Sequence, residues 1–195
     1  MESPDKLRLF DVCRQGSHAL GPGCRYVVWT QGCLRHCQGC LTPEGQPLSG
    51  GVEVSADALA ADIILNPSID GVTVSGGEPM LQAAALEVVF RQVHNVRPEL
   101  SVIVYTGEKF ETLKENVKAM TFLKYVDILI DGEYIESQND GIGIRGSSNQ
   151  RIIPITHRLD NYLEYMETGI RHLERVANSA NTYTSIGIPP RTNKY

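Results

Sequence analysis

Short runs of apolar residues alternate with segments of helical periodicity along most of the chain. Four runs are apolar at almost every position, which is typical of strands buried on both faces of a sheet. The predicted strands cover residues 26–30, 72–75, 101–106 and 126–131, with a further candidate at residues 152–155. The predicted helices cover residues 56–65 (with Ser55 as the N-cap), 80–93 and 109–124. This alternation predicts an α/β fold with a parallel sheet.

The remaining segments are less regular. Residues 42–51 and 136–150 are rich in turn-forming residues and are predicted to be loops. From residue 158 onward, apolar residues at helical spacing predict one amphipathic helix, followed by an irregular tail from residue 181. The apolar face of that helix comprises Leu159, Leu163, Met166, Ile170, Leu173 and Val176. Because no linker divides the chain, we expect a single domain over residues 1–195, with residues 158–195 forming a C-terminal helix and tail.

Glycine and polar residues follow each of the four main predicted strands. In chain order, the strand exits read Gln-Gly-Cys, Ser-Gly-Gly-Glu-Pro, Tyr-Thr-Gly-Glu and Asp-Gly-Glu-Tyr. A turn explains any one of these exits, but it explains four successive ones less well. Since α/β proteins form ligand sites at the carboxyl ends of parallel strands, we expect the four exits to build one site.

Charge and hydropathy exclude several classes of function. Lys and Arg number 18 against 23 Asp and Glu, and the resulting net charge of −5 argues against a non-specific nucleic-acid binder. No apolar run approaches the roughly 18 residues that a membrane span requires. The first ten residues mix acids and bases without the apolar core of a signal peptide. We therefore expect a cytoplasmic protein that binds neither nucleic acid nor membrane.

Three of the five cysteines lie close together, in the spacing Cys33-x3-Cys37-x2-Cys40. Three thiolates on one short loop can bind a soft metal centre. A zinc ion would need a fourth ligand, for which His36 is a candidate. A 4Fe–4S cluster normally takes four thiolates, so three would leave one iron open to an exogenous ligand. The spacing alone leaves zinc and iron–sulfur as equal alternatives.

The segment Ser75-Gly76-Gly77-Glu78-Pro79 favours the iron–sulfur alternative. Adjacent glycines permit unusual dihedral angles and the close approach of a ligand to the backbone. Together with backbone carbonyls, the Glu78 carboxylate could hold the ammonium group of an amino-acid-like ligand. This motif and the cysteine loop at the preceding strand exit together resemble the radical S-adenosylmethionine superfamily.

Further stretches resemble a narrower branch, the activating enzymes of the anaerobic (class III) ribonucleotide reductase. The resemblance covers roughly residues 6–155, and Thr42 departs from it because those activating enzymes commonly carry Asn there. The stretches that carry it are residues 21–23 with Arg25, residues 31–33, residues 73–79 with Gln82, and residues 105–107, 131–132 and 145–151.

The resemblance implies an incomplete parallel β/α barrel of the radical SAM type, with one 4Fe–4S cluster and S-adenosyl-L-methionine (SAM) as cofactors. The implied cluster ligands are Cys33, Cys37 and Cys40, and the open iron would chelate SAM. The implied SAM contacts are Gly76, Gly77 and Glu78 at the methionine end and the backbone around Gly39 and Leu41 on the adenosine side. Further candidate contacts at strand exits are Ser75, Thr106 and Asp131, of which Asp131 could instead form a turn.

The implied reaction is reductive cleavage of SAM to a 5′-deoxyadenosyl radical, with no catalytic side chain beyond the cluster and cofactor. In this branch the radical removes hydrogen from a glycine of a large glycyl-radical enzyme, here an anaerobic ribonucleotide reductase, and flavodoxin or ferredoxin supplies the electron. One alternative directs the same radical at another peptide or a small metabolite. Another, from a different class, is a structural zinc protein without catalysis.

Overall fold

A seven-stranded, mostly parallel sheet forms the centre of the protein in a computed structural model that describes residues 5–177 and 183–189. The strands of the main sheet are β1 (Lys6–Ser17), β2 (Arg25–Thr30), β3 (Val52–Ser55), β4 (Gly71–Gly76), β5 (Ser101–Tyr105), β6 (Ile128–Asp131) and β7 (Arg151–Pro154). The helices are α1 (Ala56–Ile64), α2 (Ala83–Val96), α3 (Phe110–Leu113), α4 (Val117–Leu123) and α5 (Leu163–Thr168). A separate hairpin consists of β8 (Glu174–Ala177) and β9 (Tyr183–Ile186).

The strand order in the main sheet is β3-β1-β2-β4-β5-β6-β7. The central strands β2, β4, β5 and β6 run parallel, and Thr73 of β4 lies between Val27 and Ile103 of its neighbours. Antiparallel pairings flank this core: β1 pairs with β2 and with β3 on one side, and β7 pairs with β6 on the other. The α/β class and the four main strands are therefore confirmed. The pattern of hydrophobic residues did not predict β1, because polar and charged residues interrupt the apolar positions along this strand.

Successive residues of the central strands point to opposite faces of the sheet. On one face, Tyr26, Val74 and Val104 pack with apolar residues of α1, α2 and α4. On the other, which we call the cavity face, Trp29 packs with Ile186, and Ile103 packs with Met166. Helices α1, α2 and α4 thus cover one face, whereas α5 and other segments that follow β6 cover part of the cavity face.

Side-chain N-caps begin α1 and α4. The Ser55 hydroxyl accepts a hydrogen bond from the Ala58 amide at 3.1 Å, which confirms the predicted N-cap of α1. The single helix predicted over residues 109–124 is divided into α3 and α4. The reason is Asn116, whose side chain accepts hydrogen bonds from the amides of Lys118 and Ala119 and begins a new helix.

The long helix predicted from residue 158 is wrong. Only α5 forms, and it ends at Gly169, whose backbone is extended at φ −67° and ψ 164°. Met166 is buried as the pattern requires, but Ile170 is 81% exposed, and the chain then enters β8 instead of a further turn of helix. The irregular tail predicted from residue 181 is also wrong where the structure describes it, because residues 183–186 form β9. The last six residues lie outside the described part.

No helix within the described ranges has both the length and the apolar character needed to cross a membrane.

Candidate functional site

A cavity of about 510 Å³ opens at the carboxyl ends of β2, β4 and β5. This volume is within the range of sites that hold drug-sized ligands. Nine of the eleven residues predicted to bind the cluster or SAM line it, and the structure therefore brings the cysteine loop and the glycine motif together. These residues are Cys33, Cys37, Cys40, Leu41, Ser75, Gly76, Gly77, Glu78 and Thr106.

Backbone hydrogen bonds fold the cysteine loop back on itself and fix it to the neighbouring strand exit. The amides of Gly32 and Cys33 donate to the carbonyls of Gly45 and Gln46 at 2.7 and 2.8 Å. The amide of Glu78 donates to the carbonyl of Gly32 at 2.8 Å. These bonds involve Gly32 and Cys33, so backbone contacts hold the start of the loop to residues 45–46 and to the exit of β4.

The two glycines of the motif are required by packing between backbones. Gly76 has φ +100°, and a Cβ atom there would lie 2.5 Å from the Thr30 amide nitrogen. A Cβ atom on Gly77 would lie 2.3 Å from the carbonyl oxygen of Gly32. The predicted need for an unusual dihedral angle is met at Gly76. The sequence predicts a glycine at position 77 because a ligand must approach the backbone there. The structure adds a stronger reason, which is that the backbone of Gly77 is in close contact with the cysteine loop.

Glu78 is 4% exposed and connects the exits of β4 and β5. Its Oε1 atom accepts hydrogen bonds from the Met80 amide at 3.0 Å and the Thr106 hydroxyl at 2.7 Å. Its Oε2 atom accepts from the Gly107 amide at 2.8 Å. Burial raises the pKa of this carboxyl, and the three donors oppose that rise. The Oε2 atom accepts a single hydrogen bond and therefore retains lone-pair capacity for a further donor.

The thiols of the loop lie in a partly desolvated environment. The Cys37 thiol lies 3.6 Å from Oε1 of Glu133, and burial together with this carboxylate raises the pKa of Cys37 to about 11. Burial also raises the pKa of Cys33. Since the thiolate is the form that binds metal, both thiols must release a proton when a metal centre is assembled.

Arg35, between the first two cysteines, is a site residue that the sequence analysis missed. Its guanidinium pairs with Glu108 at 2.7 Å and lies 3.6 Å from Glu133. Its Nε atom is buried and has no hydrogen-bond partner among the described residues, although the side chain lines the cavity. A buried donor without a partner indicates a position that a polar ligand group can satisfy. The only signal in the sequence was its place inside the cysteine spacing.

The donor set fits an iron–sulfur cluster better than a zinc ion. Zinc needs four side chains around one point. In the part of the chain that the structure describes, no three His, Cys, Asp or Glu side chains are grouped to hold one ion, and His36 is exposed. A cluster instead presents several irons to its thiolates. Three soft thiols beside an open cavity match a cluster with one iron left for an exogenous ligand.

Two predicted cofactor contacts lie outside the cavity lining. Gly39 has φ +69°, and the space beside it is occupied by the carboxylate of Glu136, whose carbon would lie 2.5 Å from an added Cβ atom. Asp131 is buried and accepts hydrogen bonds from the Phe110 amide at 2.7 Å and from Nε of Arg151 at 2.9 Å. The Asp131 carboxylate therefore joins β6, β7 and the start of α3 in the structure.

Other residues that line the cavity come from distant parts of the sequence and were not predicted as cofactor contacts, although Tyr105 and Gln150 lie in stretches that carry the family resemblance. Tyr105 lines it and donates a hydrogen bond from its hydroxyl to the carbonyl of Ile144 at 2.7 Å. Gln150 holds the loop after β6, because its side chain bonds Gly132 at 2.7 Å and Gly146 at 2.8 Å. The β8–β9 hairpin also contributes to the lining, although this segment was predicted to be helix and tail.

Comparison with known proteins agrees with this geometry. Residues 19–153 match the family model described as a 4Fe-4S single cluster domain. The anaerobic ribonucleoside-triphosphate reductase-activating protein of Enterobacteria phage T4 is 33% identical over 136 residues, which cover 68% of this chain and 85% of that protein. The corresponding protein of Vibrio cholerae is 34% identical over 140 residues, covering 68% and 88%. A pyruvate formate-lyase-activating enzyme of Staphylococcus epidermidis is 31% identical over 160 residues, covering 78% and 62%.

The family model covers more than half of the chain, and it includes the three cysteines and the glycine motif. Membership implies a 4Fe–4S cluster and SAM as the cofactors, which the cavity and its donor set accommodate. The protein is therefore an enzyme of the 4Fe-4S single cluster domain family, and it belongs with the radical SAM activating enzymes.

Proposed function

We propose that the protein generates a glycyl radical on an anaerobic ribonucleoside-triphosphate reductase. The observation that carries this proposal is that three cysteine thiols and a Gly-Gly-Glu segment share one cavity in a member of this family. The match to reductase-activating proteins spans 85% and 88% of two of those relatives, against 62% of the pyruvate formate-lyase-activating enzyme. The reductase is therefore the preferred partner, and another peptide or a small metabolite is the alternative substrate.

In this proposal Cys33, Cys37 and Cys40 hold the cluster, and SAM lies between the cysteine loop and the exits of β4 and β5. The chemistry that these cofactors supply when bound is one-electron cleavage of the sulfonium, which yields a 5′-deoxyadenosyl radical able to take hydrogen from a glycine. The remaining SAM contacts that we propose line the same cavity and are Leu41, Ser75, Gly76, Gly77, Glu78 and Thr106.

The charged residues of the cavity suit a cationic cofactor. Asp11, Glu44 and Glu78 contribute carboxylates to the lining, and the single basic residue there among those described is Arg35. Arg35 is already paired with Glu108. The excess of carboxylates attracts a ligand that carries sulfonium and ammonium groups. The unpartnered Nε of Arg35 leaves one donor for an anionic group, such as the carboxylate of the methionine end.

The architecture also agrees with the proposal. The proposal is supported by four parallel strands with α1, α2 and α4 on one face and a cavity on the other, as part of a β/α barrel would have. We propose that the whole chain is one radical SAM domain of this incomplete-barrel type, acting in the cytoplasm with flavodoxin or ferredoxin as its reductant. An incomplete barrel leaves room for a loop of a large partner, whereas a closed one would favour a small substrate.

Electron paramagnetic resonance tests this proposal directly. The protein is reconstituted with iron and sulfide without oxygen, reduced, and mixed with SAM and either an anaerobic ribonucleoside-triphosphate reductase or a pyruvate formate-lyase. We expect a glycyl-radical doublet in the reductase and a much weaker one in the lyase. A doublet in neither enzyme would contradict the proposal, and cleavage of SAM without either doublet would favour the alternative substrates.

A further inference from the structure

The β8–β9 hairpin forms part of the wall of the same cavity as the cluster loop. Tyr183, Thr184 and Ser185 of β9 line the cavity, as do Gly187 and Ile188 just after it, whereas Glu174, Arg175 and Val176 of β8 do not. The family model ends at residue 153, so this wall lies outside the segment that defines the family match.

Buried contacts attach the hairpin to the cavity face of the sheet. Ile186 and Ile188 are 1% and 6% exposed and pack in one cluster with Leu20 and Trp29. At the other strand, both carboxylate oxygens of Glu174 accept from the His18 amide at 3.1 Å. These contacts fix the end of the hairpin at which Glu174 pairs with Ile186.

The turn after β9 reinforces this attachment. Gly187 has φ +117°, and a Cβ atom there would lie 2.3 Å from the carbonyl oxygen of His172. Only glycine fits that close contact between the two segments. The chain can therefore pass from β9 to the buried Ile188 without moving β9 away from the cavity.

The exposed part of this wall has the chemistry of a peptide-binding surface. Tyr183 is 70% exposed, Thr184 is half-buried and Ser185 is exposed, and all three offer neutral hydroxyl groups. Neutral hydroxyls suit backbone amides and carbonyls, and Tyr is enriched where proteins bind one another. Within the described ranges β9 pairs with β8 along one edge, and its second edge has no strand partner. An extended peptide commonly binds by adding to such an edge.

We infer that β9 is the surface that binds the glycine-bearing segment of the partner and directs it toward the cavity, with Tyr183 as its main contact. This inference rests on the proposed function and adds to it the place where the peptide lies. The cavity is continuous from the cysteine loop to β9, so a peptide on β9 borders the space that we assign to SAM. Tyr183 is a positioning residue, because it orients the substrate and takes no part in cleaving SAM.

The test is the dependence of radical formation on partner concentration. Glycyl radical is measured by paramagnetic resonance against the concentration of anaerobic ribonucleoside-triphosphate reductase for the wild type and for Tyr183→Ala, Tyr183→Phe and Arg175→Ala. We expect Tyr183→Ala to raise the half-saturating concentration about tenfold, as truncation of an anchoring interface residue does. Tyr183→Phe keeps the ring and should lie between Tyr183→Ala and the wild type. Arg175 is an exposed β8 residue outside the cavity lining and serves as the matched control.

Equilibrium binding of SAM without the reductase separates the possible outcomes. If Tyr183→Ala lost as much affinity for SAM as for the reductase, β9 would be a cofactor contact, and the inference would be overturned. Unchanged half-saturation in Tyr183→Ala would overturn it as well. If the wild-type protein formed no radical, the proposed function would be overturned. This outcome differs from failure of the inference, because all four proteins would then behave alike.

Discussion

The amide of Glu78 donates a 2.8 Å hydrogen bond to the carbonyl of Gly32, the residue that precedes the first cysteine of the loop. Through this bond the motif after β4 and the loop after β2 form one connected unit. The Glu78 side chain extends the unit to β5 through Thr106 and Gly107. A change at any of these positions is therefore expected to affect both the cluster and SAM, although the two motifs are about 40 residues apart in sequence.

Replacing any one of Cys33, Cys37 or Cys40 by Ala is expected to prevent stable cluster binding. Each thiolate supplies one iron with its protein ligand, and a cluster with two protein ligands is lost on desalting. The measurement is iron and sulfide content after anaerobic reconstitution. Cys24→Ala is the matched control, because Cys24 is partly buried and does not line the cavity. Full iron content in all three loop variants would remove these cysteines from the metal site.

Gly77→Ala is expected to lower iron content as well as SAM affinity. The added methyl group would meet the Gly32 carbonyl at 2.3 Å and displace the start of the cysteine loop. We expect at least half of the reconstituted iron to be lost while the thermal unfolding transition remains cooperative. If the variant instead retained all of its iron and lost only SAM affinity, the role of Gly77 would be to admit the ligand, as the sequence alone suggested.

The buried carboxyl of Glu78 predicts a pH-dependent difference in stability between the wild type and Glu78→Gln. Burial raises the pKa of Glu78 above its ordinary value of 4.5, so ionisation costs more free energy in the folded state than in the unfolded state. The contribution of Glu78 to stability is therefore greatest below pH 4.5 and declines as the pH rises through the folded pKa.

Urea unfolding of both proteins at several pH values checks this prediction, because the other titrating groups are common to the two. The wild type should lose stability relative to Glu78→Gln as the pH rises. A relative gain would mean that the three hydrogen-bond donors outweigh burial.

Asp131→Asn is expected to lower stability without changing SAM affinity. Asp131 is 1% exposed, and its carboxylate is paired with Arg151 and the Phe110 amide. Weakening a buried charge-assisted hydrogen bond costs about 1.5–3 kcal/mol. Urea unfolding measures that cost, and equilibrium binding measures SAM affinity, which should stay within twofold of the wild-type value. A tenfold loss of affinity in a folded variant would restore Asp131 to the cofactor site.

The sequence was sufficient to predict the parts of the protein that local patterns encode. The central strands are apolar on both faces, and their exits carry glycine and polar residues, so β2, β4, β5 and β6 and the site at their ends could be predicted. The three cysteines and Glu78 were identified because residue type and spacing together indicate their chemistry. Ser55 was identified as an N-cap because that preference is local.

The missed features depend on long-range contacts. Tyr183 reaches the cavity only because Ile186 and Ile188 pack on Trp29, which lies more than 150 residues earlier in the chain. The same packing favours a hairpin in the segment after Gly169, although Ile170 and Leu173 continue the helical spacing. Asp131 follows a predicted strand and is therefore a candidate ligand contact in the sequence, but in the structure its carboxylate is paired with Arg151. Such pairings between distant residues leave no periodic signal in the sequence.

Formation of 5′-deoxyadenosine is the most direct measurement of the central claim, which is that a cluster on the cysteine loop cleaves SAM in this cavity. The reconstituted protein is reduced with dithionite, supplied with SAM, and its products are separated by chromatography, with Cys37→Ala treated in parallel. We expect 5′-deoxyadenosine from the wild-type protein and none above background from the variant. The absence of this nucleoside from a wild-type protein with a full complement of reduced cluster would contradict this claim.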